Sequence, residues 1–156
     1  MTKNEINKTI TGFLELIWKG KESTQENEQT LILSLDKLAL AYHYADYEVD
    51  SVEYLNPPDK DYLSVRKIVC ERFPDFGYYN LPMEFTTKIA GSEIVVGDAI
   101  DDITDIATDL WEIEWRWKHN NELDALWHFR FGYYSHWGNH LRCLQLYLFQ
   151  RHHERA

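Results

Sequence analysis

The stretch from Glu122 to about Arg151 carries Leu123, Leu126, Phe129, Tyr133, Tyr134, Trp137, Leu141, Leu144 and Leu148 and contains no proline. At the helical period these side chains cover almost the whole circumference, and a helix that is apolar nearly all round must be contacted on several sides. The segment therefore predicts a helical bundle with this last helix at its centre. Gly132 and Gly138 are its weak points, because glycine destabilises a helix interior.

The rest of the chain supplies the helices such a core requires. Thr2 and Glu5 have capping-box spacing, and Ile6, Ile10, Phe13 and Ile17 follow at helical intervals as far as Lys19 and Gly20. Leu31, Leu35, Leu38, Tyr42 and Ala45 form a second stripe. Asn56-Pro57-Pro58-Asp59 breaks the chain, after which Tyr62, Val65, Val69 and Phe73 mark a short third helix stopped by Pro74. A fourth helix from Asp98 carries Ile103, Ile106, Ala107, Leu110, Ile113 and Trp117 up to a turn at Asn120-Asn121.

Between the third and fourth helices, Asp75 to Gly97 shows no sustained period and holds Phe76, Tyr78, Tyr79, Met83 and Phe85. It reads as a long aromatic connection packed across the last helix. Glu93-Ile94-Val95-Val96 has the composition of a short strand, which alone does not make a sheet. The expected architecture is all-α: a single helical domain over residues 1–156, with about five helices.

Charge narrows the partners. With 26 acidic against 16 basic residues the net charge is −10, which repels nucleic-acid backbones and anionic lipid surfaces. No apolar run reaches the length of a bilayer crossing, and residues Met1 to Thr11 lack the build of a signal peptide. A cytoplasmic location follows as the expectation. Cys70 and Cys143 fit no zinc pattern and read as reduced core thiols.

The chemistry-bearing residues cluster in the C-terminal half. His136 and His140 lie four residues apart, a spacing that stacks both rings on one helix face. They fall in an apolar sector with Phe129, Cys143 and Tyr147, so partial burial is expected. Asp98, Asp101, Asp102, Asp105 and Asp109 could supply oxygen ligands to a metal held by the pair. Helical phase at about 100° per residue turns Asp98, Asp101, Asp105 and Asp109 away from the apolar arc, leaving Asp102 at its edge. The same count puts Arg130 mid-stripe, since Leu148 lies about five turns beyond it. A guanidinium there needs partners, and Asp102 or Glu114 on the preceding helix are the nearest carboxylates in phase. HxxxH without the glutamate of HExxH, and the absence of ExxH or GxSxG, leaves no recognisable catalytic signature.

One set of motifs resembles a known family. Val95-Val96-Gly97, then Asp101-Asp102-Ile103-Thr104-Asp105-Ile106 and Asp109-Leu110, are followed by Trp127-His128-Phe129-Arg130-Phe131 and Ser135-His136-Trp137-Gly138-Asn139-His140. In order and spacing they are similar to the bacterial family called domain of unknown function 5063. The resemblance is strongest from Val95 to Leu148, implies a small all-helical bacterial protein, and carries over no catalytic role. It marks Asp102, Asp105, Arg130, His136, Trp137 and His140 as candidates for a site or a polar core network.

Two functions are consistent with these residues. One is a protein-interaction module without catalytic activity, binding a protein partner or itself; Trp111 and Trp115 lie off the centre of the fourth helix's stripe and would be exposed unless covered. In that case no cofactor is expected. The alternative is a ligand- or metal-binding site, hydrolytic in one version, built from Asp102, Arg130, His136 and His140, with a divalent metal on His136 and His140.

Overall fold

A computed structural model describes residues 1–155. Its elements in chain order are α1 (Lys3–Lys19), α2 (Thr24–Tyr44), α3 (Tyr62–Arg72), β1 (Tyr78–Pro82), β2 (Ile94–Asp98), α4 (Ala99–His119), α5 (Glu122–Gly132), a π turn (Tyr133–Trp137) and α6 (Gly138–Glu154). Gly132, Tyr133, Trp137 and Gly138 all keep right-handed helical dihedrals, so α5, the π turn and α6 form one unbroken rod. The fold is thus the expected all-α bundle of five helical rods plus a small hairpin. Among the described residues, no helix is long and apolar enough to cross a membrane.

Local chemistry explains the ends. The capping box at α1 is formed: Glu5 N–H donates to the Thr2 hydroxyl, and Thr2 N–H donates to the Glu5 carboxylate. Gly20 ends α1 with φ +70°, and Arg72 donates to the Ile17 and Trp18 carbonyls freed there. Asp98 caps α4 through the Ile100 and Asp101 N–H groups, and Arg66 of α3 holds the other carboxylate oxygen at 2.7 Å.

The core is one cluster running from Ile6, Ile10, Phe13 and Ile17 through Leu31, Leu35 and Leu38 to Ile103, Ile106, Leu110, Phe129, Leu141 and Leu144. Each such side chain contributes roughly 1.5–3 kcal/mol by leaving water. The central element is α4, which packs against α1, α3, α5 and α6. This corrects the expectation that the last helix is central. Its apolar circumference is real, but Phe131, Tyr134, Leu146 and Phe149 face solvent. Aromatic and leucine content exceeds what the neighbouring helices can cover.

The aromatic connection is a hairpin rather than a lid without secondary structure. β1 and β2 pair antiparallel with Tyr78 opposite Asp98 and Pro82 opposite Ile94, so the strand-like run 93–96 finds its partner in 78–82. Phe76 and Tyr79 pack on Tyr147 of α6 with centroids 5.6 and 5.3 Å away, as a connection crossing the last helix should. The thiols depart from expectation: Cys70 is exposed, because α3 turns only Val65 and Val69 inward, and Cys143 on α6 is half-buried.

A candidate metal centre between two helices

Three aspartates of α4, at 102, 105 and 109, share one face because their spacings are three and four residues. Opposite them the π turn and the start of α6 present His136 and His140. His140 Nδ1 lies 2.7 Å from Asp102 Oδ1, and His136 Nδ1 lies 2.8 Å from Asp109 Oδ2. An ionised carboxylate only accepts, so each imidazole donates its Nδ1–H, and a neutral ring in that tautomer carries its lone pair on Nε2. His140 Nε2 faces Asp105 Oδ2 at 3.4 Å. The two rings stand 4.9 Å apart at 76°.

Asp102 is clamped on its second oxygen as well. The Tyr79 hydroxyl donates to its Oδ2 at 2.6 Å. Tyr79 reaches it by lying across Gly97, its partner in the hairpin, where a Cβ would stand 2.4 Å from the ring. The glycine of Val95-Val96-Gly97 is thus the space that the tyrosine occupies. Nearby, Tyr62 donates to Asp101, which also lies 3.7 Å from Arg66.

Burial and charge set the protonation of the cluster. Burial raises the Asp105 carboxyl above its ordinary range, with Asp101 and Asp109 adding to the rise and His140 opposing it. Burial also raises Asp109, against the hydrogen bond from His136. For His140 burial pulls downward, but the Asp102 hydrogen bond and the Asp105 and Asp101 charges outweigh it, and the net shift is upward.

One ligand atom from each of Asp105, His136 and His140 can be chosen so that all lie within 4.8 Å of one another. Around a tetrahedral ion with bonds of about 2.1 Å, neighbouring ligand atoms stand about 3.4 Å apart. The Asp105–His140 pair is already there, and His136, held by Asp109 at 2.8 Å, brings a ligand atom within 4.8 Å of both.

Of the residues marked in the sequence, Asp102, Asp105, His136 and His140 converge. Trp137 does not join them: it is fully buried against Phe129 and Tyr133, and serves as core. Arg130 is also elsewhere, its Nη1 donating to the Ala45 carbonyl at 2.9 Å over the ring of Tyr42. Neither Asp102 nor Glu114 is its partner. The physical reason is the π turn, whose i→i+5 closure takes in one extra residue and offsets the azimuth by roughly 100°. Arg130 and Leu148 therefore do not share a face. The arginine that does enter the core is Arg116, which pairs with buried Asp124 at 3.1 Å.

Three further expectations are corrected. Asp105 and Asp109 are half-buried rather than solvated, because α6 and the π turn cover the face of α4 opposite its main stripe. His136 is more exposed than its apolar sector implied. Trp111 and Trp115 are half-buried, Trp111 beneath the Lys60 ammonium at 4.5 Å and Trp115 stacked on His119 at 4.3 Å. Tyr79 was the residue sequence reasoning missed, and Asp109, named there as a possible oxygen ligand, was wrongly turned to solvent. Asp109 had a signal, its four-residue step from Asp105; Tyr79 had none, since only the hairpin register brings it near Asp102.

A helical bundle with a histidine–carboxylate cluster between its two longest C-terminal rods is the class that fold and site define. The family model for the domain of unknown function DUF5063 matches residues 4–149, and the chain belongs to that family. No curated protein and no solved structure matches it.

Proposed function

We propose that this protein binds one divalent first-row metal ion through Asp105, His136 and His140. The observation that carries the reading is the pair of carboxylates behind the imidazoles. Asp109 accepts from His136 and Asp102 from His140, the outer-shell arrangement that orients metal-ligating histidines. A histidine pair satisfied only for packing needs no third carboxylate at its other nitrogen, and here Asp105 occupies that place.

Two imidazoles and one carboxylate suit Zn²⁺ or Fe²⁺ and leave coordination positions open. A Zn²⁺ held there would lower the ionisation of a bound water toward pH 7, so hydrolysis is the chemistry this donor set would support. The interaction-module reading draws less from Trp111 and Trp115, which are half-buried against Lys60 and His119.

The test is calorimetric titration of untagged, chelator-treated protein with Zn²⁺. One ion per chain is expected, with affinity reduced at least a hundredfold in His140→Ala and in Asp105→Asn, and roughly 10–100-fold in the outer-shell variant Asp102→Asn. Absence of stoichiometric binding to wild-type protein, or binding unchanged in both ligand variants, refutes the proposal.

A further inference from the structure

A cleft of about 710 Å³ lies between β1 and α6. Its hairpin wall holds all five residues of β1, Tyr78 to Pro82, and none of β2, while its helical wall includes Asn139, Arg142, Leu146 and Gln150. Successive residues of a strand point to opposite faces, so a cleft bordered by every one of them runs along the strand's edge. That edge is unpaired. The Met83 N–H donates to the Glu93 carbonyl at 2.8 Å, and the same register sets Leu81 opposite Val95 and Tyr79 opposite Gly97. Bonded and non-bonded pairs alternate in an antiparallel ladder, so Tyr79 and Leu81 spend their backbone groups on β2, whereas Tyr78, Asn80 and Pro82 turn theirs outward. Among the described residues, no loop or helix carbonyl accepts from the Tyr78 or Asn80 N–H. At about 3.3 Å per residue the free edge is about 17 Å long, enough for a short strand.

An open edge beside a helix takes an added strand, main chain to main chain. The charge at the rim selects that strand. Arg151 is matched by Glu28 at 3.5 Å, but Arg142 and Arg155 stand against the single acid Glu154, a net positive rim on a chain of net charge −10. Arg142 is exposed and, among the described residues, makes no ion pair; its Nε donates to the Tyr133 hydroxyl and its Nη1 to the Gln145 side chain. A second copy of this chain offering its own β1 edge would bring arginine against arginine, whereas an acidic strand meets them with opposite charge. Exposed Phe85 and Leu146 border the same cleft and give its alternate side chains an apolar contact.

We infer that an extended acidic peptide segment of a partner protein binds here as a third strand on β1, its backbone on Tyr78, Asn80 and Pro82 and its carboxylates toward Arg142 and Arg155. The cleft contains no residue of the proposed metal centre, and neither site requires the other to be filled.

The test uses chelator-treated protein and an end-blocked peptide of alternating glutamate and valine about as long as β1, followed by fluorescence anisotropy and ¹H–¹⁵N correlation spectroscopy. Saturable one-to-one binding is expected, with the Asn80 amide shifted and its hydrogen exchange slowed about tenfold or more at saturation. Lysine in place of glutamate in the peptide, or Arg142→Glu in the protein, should each weaken binding about fivefold or more. Methylating alternate backbone nitrogens of the peptide probes the strand pairing itself. One of the two phases removes the donors that face β1 and should cost about tenfold or more, while the other leaves affinity within about threefold. No saturable binding, equal affinity of the lysine peptide, or equal affinity of the two methylated phases overturns the inference. So does an Asn80 amide already protected in a concentration-dependent dimer of the free protein, which would show the edge filled by a second copy.

Discussion

Replacing Gly138 with alanine separates a π turn from an ordinary helix by the sign of the effect. Inside a regular helix, Gly→Ala stabilises by about 0.8–1 kcal/mol. Gly12 in α1 provides that reference: it is exposed and a Cβ there meets nothing within 4 Å. At Gly138 a Cβ would stand 2.2 Å from the Tyr133 carbonyl oxygen, the acceptor of the Gly138 N–H in the π turn. Relaxing to plain α geometry is no escape, because it rotates α6 by roughly 100° and takes Leu141, Leu144 and Leu148 off the core. The chain must absorb a local distortion of about 1–3 kcal/mol and weaken a hydrogen bond of about 1 kcal/mol, with the propensity gain offsetting about 1 kcal/mol. The expected net is destabilisation by about 1–3 kcal/mol for Gly138→Ala and stabilisation by about 0.5–1 kcal/mol for Gly12→Ala. Urea unfolding at constant m-value measures both. Gly138→Ala as stable as wild type, or more so, refutes the account of the turn.

Other perturbations address the site and the second polar core. Deleting Tyr134, whose side chain is 86% exposed, removes the extra residue while leaving α5 and α6 in their present phase; stability within about 1 kcal/mol of wild type is expected, with Zn²⁺ affinity retained because His136 stays four residues before His140, and strong destabilisation would contradict the role given to the turn. Because the His140 pKa is raised above its ordinary 6.5, its stabilisation of the metal-free fold is full below that pH and fades as pH rises through the folded value. Thermal melts in chelator from pH 6.5 to 8 should therefore show a decline that His140→Ala flattens, and equal slopes in the two proteins would contradict it. Asp124→Ala strands the Arg116 guanidinium in the core and should destabilise by about 3–5 kcal/mol; chemical denaturation showing less than about 1 kcal/mol would mean that the Asn56 and Leu55 oxygens beside Arg116 already suffice.

Elements with a single unbroken period were legible in the sequence. Ile6 to Ile17 and Leu31 to Ala45 bury the side chains their stripes select, and the Thr2–Glu5 box begins the first helix where its spacing says. The hairpin was half legible: residues 93–96 have strand composition, but their partner 78–82 is hidden by a proline and two tyrosines whose pairing depends on tertiary packing. Asp102 was recovered because its azimuth at the edge of the α4 arc does not depend on any other helix. Asp105 and Asp109 were placed in solvent by the same count, which knows the face a helix turns to its main core but not that another rod covers the opposite face.

The last rod shows why the histidines were found while their surroundings were mistaken. His136 and His140 are four residues apart, so their proximity survives the π turn almost unchanged, whereas any inference that crosses the turn, such as Arg130 sharing a face with Leu148, inherits the full offset. The offset is also what allows one rod to meet two demands. Upstream, Leu126 and Phe129 must face the core; downstream, Leu141, Leu144 and Leu148 must do the same while His140 turns to Asp102 and His136 to Asp109. With an uninterrupted period, keeping the downstream leucines in the core would turn Phe129 out of it. The glycines that flank the turn are its visible trace in the sequence: at both positions a Cβ would stand within 3 Å of the turn's own atoms, Trp137 for Gly132 and Tyr133 for Gly138. Read by propensity they only weaken a helix, but read by sterics they locate the place where the phase changes and where the site is built.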